Sequence, residues 1–467
     1  MISAQSHRPP LNGNSNLKYL FLILLFSWGC SSTKKAVIVK NPNKEIKPAP
    51  PKPDANPPVK MDTIVSKESK PIDPKPPLDP QVPLPKEQPV EKPINPEAQE
   101  VARPFETKDI KKFKLLLFAP FTFESTDSSS NNEALRFIQF YAGMQMAIQE
   151  YEKQGGLPLH VEVVDEHSKT KVEEVLHQVQ FDKPNCIIGP YEIESLKYTV
   201  EWAKKNKSLA ISPWISSSSI ATENPYYLQI KAGLNTHFQI MGEHIRKHFA
   251  DDQVYIISKT KEDSRTKHFI RESGTNYKEI VISEEDLLSE SPMLLEEYFL
   301  KDRPIVFVLP LTLSKDENYI YHFLRRVAAE KLDRDVIIYG TYRWLDFKPE
   351  ILDYINSLTV RICLSNILDI EHPALRSFKL KYFEKYRELP RNDVFEGYDL
   401  MKFILFTINK YNSVKASFPL IEEPKYFQTH FNLEPISKDH TQNKIDYFEN
   451  KYARIVEMHG YKFKILD

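Results

Sequence analysis

From residue 113 onward the chain alternates two kinds of apolar pattern. One is the unbroken run, as in Leu115-Leu116-Leu117-Phe118-Ala119 within 113–120. A run without polar alternation marks a strand covered on both faces, as in a parallel sheet. The other is recurrence every three or four positions. Residues 133–153 carry Leu135, Ile138, Tyr141, Met144 and Ile148 on one stripe and stop at Gly155-Gly156, which predicts an amphipathic helix. The same reading predicts strand 159–164, helix 171–181, strand 186–188, helix 195–206 and strand 209–212. After the apolar stretch 226–230 a second set follows: helix 236–249, strands 254–258, 279–282 and 305–309, helix 319–331 and strand 336–339. Repeated βα units with short connections predict an α/β fold of two doubly wound, Rossmann-like lobes. Between such lobes lies a cleft where strand carboxyl ends and helix amino ends converge.

The preceding segment follows different rules. Residues 18–26 read K-Y-L-F-L-I-L-L-F, with Arg8 and Lys18 on the amino side. This is the layout of a secretory signal peptide, and it is shorter than the ~20 apolar residues of a spanning helix. The run ends in Ser27-Trp28-Gly29-Cys30, which resembles a bacterial lipobox, so 1–30 is expected to be a lipoprotein signal peptide with Cys30 the lipidated residue. An uncleaved anchor, or an ordinary signal beside a chance cysteine, is the alternative. Either way the bulk of the chain is placed outside the cytoplasm, at the periplasmic side of a bacterial envelope, with the outer membrane as the expected anchor site. Residues 31–104 form the predicted disordered Pro-rich tether, with 18 prolines between 41 and 104 interleaved with Lys, Glu and Asp. Such a composition buries too little apolar area to offset its ordering entropy, and at ~3 Å per residue it reaches over about 100 Å.

Composition narrows the function. With 63 basic and 64 acidic side chains the net charge is −1, without the basic excess that nucleic-acid binding needs. The three cysteines, Cys30, Cys186 and Cys363, are too few for a disulfide framework, so packing must hold the 105–467 domain.

The order of motifs resembles the type I periplasmic binding proteins, the leucine/isoleucine/valine-receptor kind used by ABC importers. Leu115 to Pro120 looks like their first strand and loop, and Tyr141-Ala142-Gly143-Met144-Gln145-Met146-Ala147 with Gly155-Gly156 like the first helix and its exit. Val164-Asp165 resembles the second strand, Ile187-Ile188-Gly189-Pro190 the third strand and turn, and Ile211-Ser212-Pro213 with 216–219 the serine-rich loop. Phe378, Tyr382, Phe383, Tyr386, Pro390 and Gly397-Tyr398-Asp399 are similar to the closing helix pair. The resemblance implies two lobes hinged by three crossing segments. These are expected near 231–235, near 339–342 and after 411, giving lobe 1 as 113–231 and 341–411 and lobe 2 as 232–340 and 412–467.

Loops after strand ends supply the candidate ligand-binding residues: Thr122, Ser125, Tyr191, Ser195, Ser212, Trp214, Ser216, Ser217, Lys259, Thr312 and Tyr342. Hydroxyls and free N–H groups at helix starts suit a carboxylate, and the resemblance implies an amino-acid-like small polar solute. Ser216 to Ser219 serve equally well as a helix cap, and Trp214 is either core or crevice wall. Tyr398 and Asp399 suit a helix anchor. No nucleophile elbow, zinc-protease, Walker or dinucleotide motif is present, so no enzyme, cofactor or metal is expected. His237, His244 and His248 share a helix face, but a solvated flank explains them better than a metal site. Two functions remain: a solute receptor, with an ABC permease as partner, or an envelope scaffold or regulator that binds another envelope protein or cell-wall component.

Overall fold

The computed structural model describes residues 112–121, 128–166, 169–291, 293–299, 302–411, 425–438, 444–460 and 462–466. The predicted signal peptide with Cys30, the tether, Thr122 and Ser125 lie outside the described residues. Strands β1 (Phe113–Ala119), β2 (Leu159–Asp165), β3 (Cys186–Ile188), β4 (Leu209–Ser212) and β5 (Tyr227–Gln229) are mutually parallel in the order β2-β1-β3-β4-β5. A second parallel set, β6 (Val254–Ser258), β7 (Lys278–Val281), β8 (Ile305–Val308), β9 (Val336–Gly340) and β10 (Thr359–Leu364), has the equivalent order β7-β6-β8-β9-β10. The first sheet is completed to seven strands by β12 (Tyr447–Asn450) and β11 (Leu433–Ile436), the second by β13 (Arg454–His459) and β14 (Lys462–Leu466).

Helices α1 (Ser128–Lys153), α2 (Lys169–Gln178) and α3 (Ile193–Asn206), joined later in the chain by α9 (Leu375–Tyr386) and α10 (Asn392–Tyr411), belong to the first lobe. The second lobe carries α4 (Leu234–His248), α5 (Ser264–Ser273), α6 (Glu284–Leu288), α7 (Glu317–Glu330) and α8 (Pro349–Ser357). Among the described residues no helix is long and apolar enough to cross a membrane.

The apolar run of β1 is explained by its two neighbours. Leu115, Leu117 and Ala119 pack into the core shared with α1 and α10, while Leu116 and Phe118 face Val172, Val175 and Leu176 of α2. On α1 the buried stripe is Phe137, Phe140, Met144, Ala147 and Tyr151, whereas Ile138 of the predicted stripe is exposed. The larger aromatic side chains won the core. α1 and α10 approach so closely that a Cβ on Gly143 would fall 1.9 Å from the Val394 carbonyl oxygen, and one on Gly397 1.9 Å from that of Phe140. The glycines of the two motifs thus admit one helix backbone to the other. Helix α5 had no predicted counterpart, because SRTKHFIRES buries only Thr266, Phe269 and Ser273 and shows no apolar period.

The chain passes between lobes at 230–234, at 364–368 and at 450–454. The second and third crossings therefore differ from those expected. Trp344, Ile351, Ile355, Val360 and Ile362 stay in the second-lobe core, so that lobe runs on past 342 to the end of β10. After α10 the chain returns to the first sheet as β11 and β12, and only then enters the second as β13. The first and third crossings are tied by Glu449, which is nearly fully buried. Its carboxylate accepts the Gly233 N–H at 2.9 Å and the Thr236 hydroxyl at 2.6 Å, and it pairs with the Lys451 ammonium at 3.4 Å. Removing the acceptor in Glu449→Ala leaves the Gly233 N–H and the Thr236 hydroxyl proton without it, while Lys451 keeps only the Thr236 oxygen, at 2.7 Å. The expected loss is about 2–3 kcal/mol, read as a lower urea midpoint; an unchanged midpoint would show that this clasp does not hold the crossings.

Candidate functional site

The strand ends of both sheets and the crossings enclose a cleft of about 390 Å³. Arg136, Tyr191, Trp214, Ser216 and Glu396 line it from the first lobe, and His237, Tyr342, Arg343 and Asp346 from the second. Lys231, Ser365 and Asn366 come from the crossings, and Asn392 and Gln428 close one end.

Of the sequence candidates, Tyr191, Trp214, Ser216 and Tyr342 meet here. Trp214 is both core and wall. It is 8 % exposed, with edge-on ring contacts to Phe137 at 5.0 Å and Phe140 at 5.1 Å. It also lies against Gly189, whose φ of +81° and proximity to the Phe118 carbonyl admit no side chain. Ser212 does not reach a solute: its hydroxyl accepts from the Ile215 N–H at 3.1 Å and donates to the Ile215 carbonyl at 3.0 Å, closing the turn below Trp214. Ser217 bonds Ser219 on the exposed surface. Lys259 is engaged by Asp316 at 3.4 Å and Glu284 at 3.9 Å within the second lobe, and Thr312 lies outside the cleft lining.

Ser195 and the start of α3 carry the main departure from expectation. The N–H groups of Tyr191 and Glu192 donate to the carboxylate of Glu166, at 2.7 and 2.8 Å. Those of Glu194 and Ser195 donate to the capping carboxylate of Glu192, at 3.0 and 2.6 Å. Four donors suited to a solute carboxylate are thereby taken by the chain's own carboxylates. Burial pushes the Glu166 carboxyl above the usual range, against the two N–H bonds that favour its ionised form.

The cleft charges are likewise matched. Arg136 pairs with Asp393 at 3.5 Å, and Lys231 with Glu396 at 3.5 Å, where Asn366 Nδ2 also donates at 2.7 Å. Burial, with Glu396 second, raises the Asp393 carboxyl. His237 is 4 % exposed and its ring sits 4.8 Å from that of Tyr342. Burial lowers its imidazole to about 4, so it is neutral at pH 7. The other two histidines of that helix face point elsewhere: His244 Nδ1 bonds the Tyr339 hydroxyl at 2.7 Å and stacks on His248 at 4.2 Å. Among the described residues no group of three His, Cys, Asp or Glu could hold a metal ion. Burial pushes both remaining thiols, Cys186 and Cys363, far above the thiol range, so neither is a nucleophile at neutral pH.

Arg136, Lys231, Asn366, Asn392, Glu396 and Gln428 were not among the sequence candidates. Only the last had a legible signal. Asp399 of the Gly-Tyr-Asp motif is fully buried and accepts the N–H groups of Phe427, Gln428 and Thr429 at 2.8–2.9 Å, which fixes Gln428 at the cleft.

No protein-family profile and no curated protein matches the chain. Among solved structures it is similar to a protein of Rhodospirillum rubrum described as a branched-chain amino acid ABC transporter, at 13 % identity and a TM-score of 0.54, covering 76 % of this chain and 100 % of that one. It is also similar to a branched-chain amino acid ABC transporter periplasmic ligand-binding protein of Burkholderia xenovorans, at 15 % identity and 0.50, covering 76 % and 94 %. An ABC transporter substrate-binding protein of Desulfitobacterium hafniense matches at 14 % and 0.50, covering 76 % and 100 %. At these identities the likeness is one of fold: the chain has the two-lobed architecture of type I periplasmic binding proteins.

Glu166→Ala should lower the melting temperature, and added formate or acetate should restore more of it in the variant than in the wild type, because the small carboxylate refills the vacated N–H pair. Equal salt effects on both proteins would show that no anion subsite lies under Glu166. For His237 the sign follows from its lowered pKa: below about pH 6.5 the unfolded state takes a proton that the folded state refuses, so stability falls on acidification toward pH 4. Asp399, pushed up to about 7 by burial, works in the opposite sense. The difference between wild type and His237→Gln cancels that contribution, and the wild type should lose more stability between pH 7 and 4.5. Parallel losses would contradict a buried neutral imidazole.

Proposed function

We propose that this protein is an extracytoplasmic, lipid-anchored solute-binding receptor that captures a small polar solute by closing its lobes, without covalent chemistry or a cofactor. The observation that carries this is the cleft itself. Its polar lining comes from both lobes and from the crossings, so a solute touching Arg136 and Glu396 on one side and His237 and Tyr342 on the other favours the closed state. The neighbours of the same fold are named as transporter components, which makes an ABC permease the partner to look for and amino acids the reference class of solute. The lipid anchor is proposed at Cys30, with 31–104 as the spacer to the membrane.

A second reading, an envelope scaffold or regulator, is favoured by one surface feature. Ile370, Leu380, Phe383 and Leu389 are all exposed around α9, beside Arg376 and Lys379. Clusters of this kind on a folded surface mark contact faces.

A solute at 100 times its dissociation constant adds ~2.7 kcal/mol of stability. A screen of amino acids, peptides and sugars against the full chain should therefore yield at least one compound that raises the melting temperature, and Trp214→Ala should weaken it. A screen in which nothing raises it would leave the scaffold reading in place of the receptor. Mass spectrometry of the mature amino terminus should find an acylated Cys30; an unmodified cysteine would remove the anchor.

A further inference from the structure

The geometry points to a neutral, hydroxyl-rich ring, a sugar or N-acetylated amino sugar, as the solute of this cleft in place of a free α-amino acid; this rests on the receptor reading above. The first ground is what the cleft no longer offers. The N–H groups at the start of α3 are closed by Glu166, and an incoming carboxylate there would meet a carboxylate already in place.

The second ground is what the cleft leaves open. Asn366 donates through Nδ2 to Glu396, which fixes the orientation of its amide and leaves Oδ1 as an acceptor. That oxygen is buried and, among the described residues, has no hydrogen-bond partner. His237 is more than nine-tenths buried; the backbone of Ala232 and Cys363 lies within bonding reach of its ring, and its Nδ1 has no partner of ordinary geometry among the described residues. A buried amide oxygen calls for a donor, and an imidazole nitrogen calls for a donor or an acceptor according to its tautomer. A hydroxyl group answers both; an α-ammonium could meet the amide oxygen, but its carboxylate would find the N–H pair of Tyr191 and Glu192 already taken.

The third ground is the arrangement of charge. Arg136 and Lys231 each stand beside their own carboxylate, Asp393 and Glu396. A cation and an anion set side by side present a donor and an acceptor without a net field, which suits adjacent hydroxyls better than an ion. The remaining charged groups of the lining, Arg343 and Asp346, are both exposed, where water and salt screen them. Tyr342, half-buried with its ring 4.8 Å from that of His237 and 5.5 Å from the Arg343 guanidinium, adds an aromatic side chain to the lining against which the C–H groups of a pyranose can pack.

The test is titration calorimetry and thermal shift on the full chain, with a panel of hexoses, N-acetylhexosamines and disaccharides against the free proteinogenic amino acids. A member of the sugar panel should bind and raise the melting temperature, with no response to the amino acids. Asn366→Ala and Tyr342→Ala should each weaken that binding at least tenfold, while Ser218→Ala, on the exposed surface, leaves it unchanged; circular dichroism of each variant shows that it is folded. Binding of an amino acid with none of the sugars would overturn the sugar assignment and leave the receptor reading standing. Binding of neither class by folded protein would overturn both. A sugar held equally well by Asn366→Ala and Tyr342→Ala would overturn the assignment of those groups to it.

Discussion

A carboxylate withdrawn from water must find donors, and this protein places buried or half-buried carboxylates where separate stretches of chain meet. Glu449 joins the first crossing to the third, and Glu396 joins Lys231 of the first crossing to Asn366 of the second. Asp399 gathers three consecutive N–H groups at 427–429, and Glu166 holds the entry to α3. An unpaired buried charge costs far more than a paired one gains. These four contacts therefore fix the geometry of the hinge and cleft more stringently than the apolar cores, which tolerate exchange of similar side chains.

The same constraint shapes what the cleft can do. A helix start facing a cleft attracts anions through its free N–H groups and its dipole. Here Glu166 supplies that anion from within the chain. On the receptor reading proposed above, the groups left to meet a solute are the ion pairs of Arg136 and Lys231, the amide of Asn366 and the side chains of Tyr342 and Trp214. Fold and ligand chemistry are separable: the two-lobed frame is shared with solute-binding proteins, and the frame alone does not fix what the cleft takes.

Much of the frame was legible in the sequence because burial on both faces leaves an unbroken apolar run, as in β1, and because the first halves of both lobes repeat βα units. Where the signal was weak the reading strayed. α5 is too polar to show a period, and Ile138 fitted a helical stripe that Phe137 and Phe140 occupy instead. The second and third crossings were misplaced because the excursion of β11 and β12 back to the first sheet leaves no local mark. The cleft was harder still. Tyr191, Trp214, Ser216 and Tyr342 follow strand ends and could be guessed, but Glu166 meets the entry to α3 from 25 and 26 residues away and Glu396 meets Asn366 from 30. Pairings across such distances depend on topology, which a single sequence does not display.

The central claim is that the lobes close on a solute held between them. It is tested most directly by the distance between spin labels placed on the exposed positions Ser218→Cys in the first lobe and Lys348→Cys in the second, a choice aided by the burial of Cys186 and Cys363. Pulsed electron paramagnetic resonance should show one distribution for the free protein and a shorter, narrower one with a stabilising solute. A distribution that stays unchanged with every solute of the panel would contradict closure.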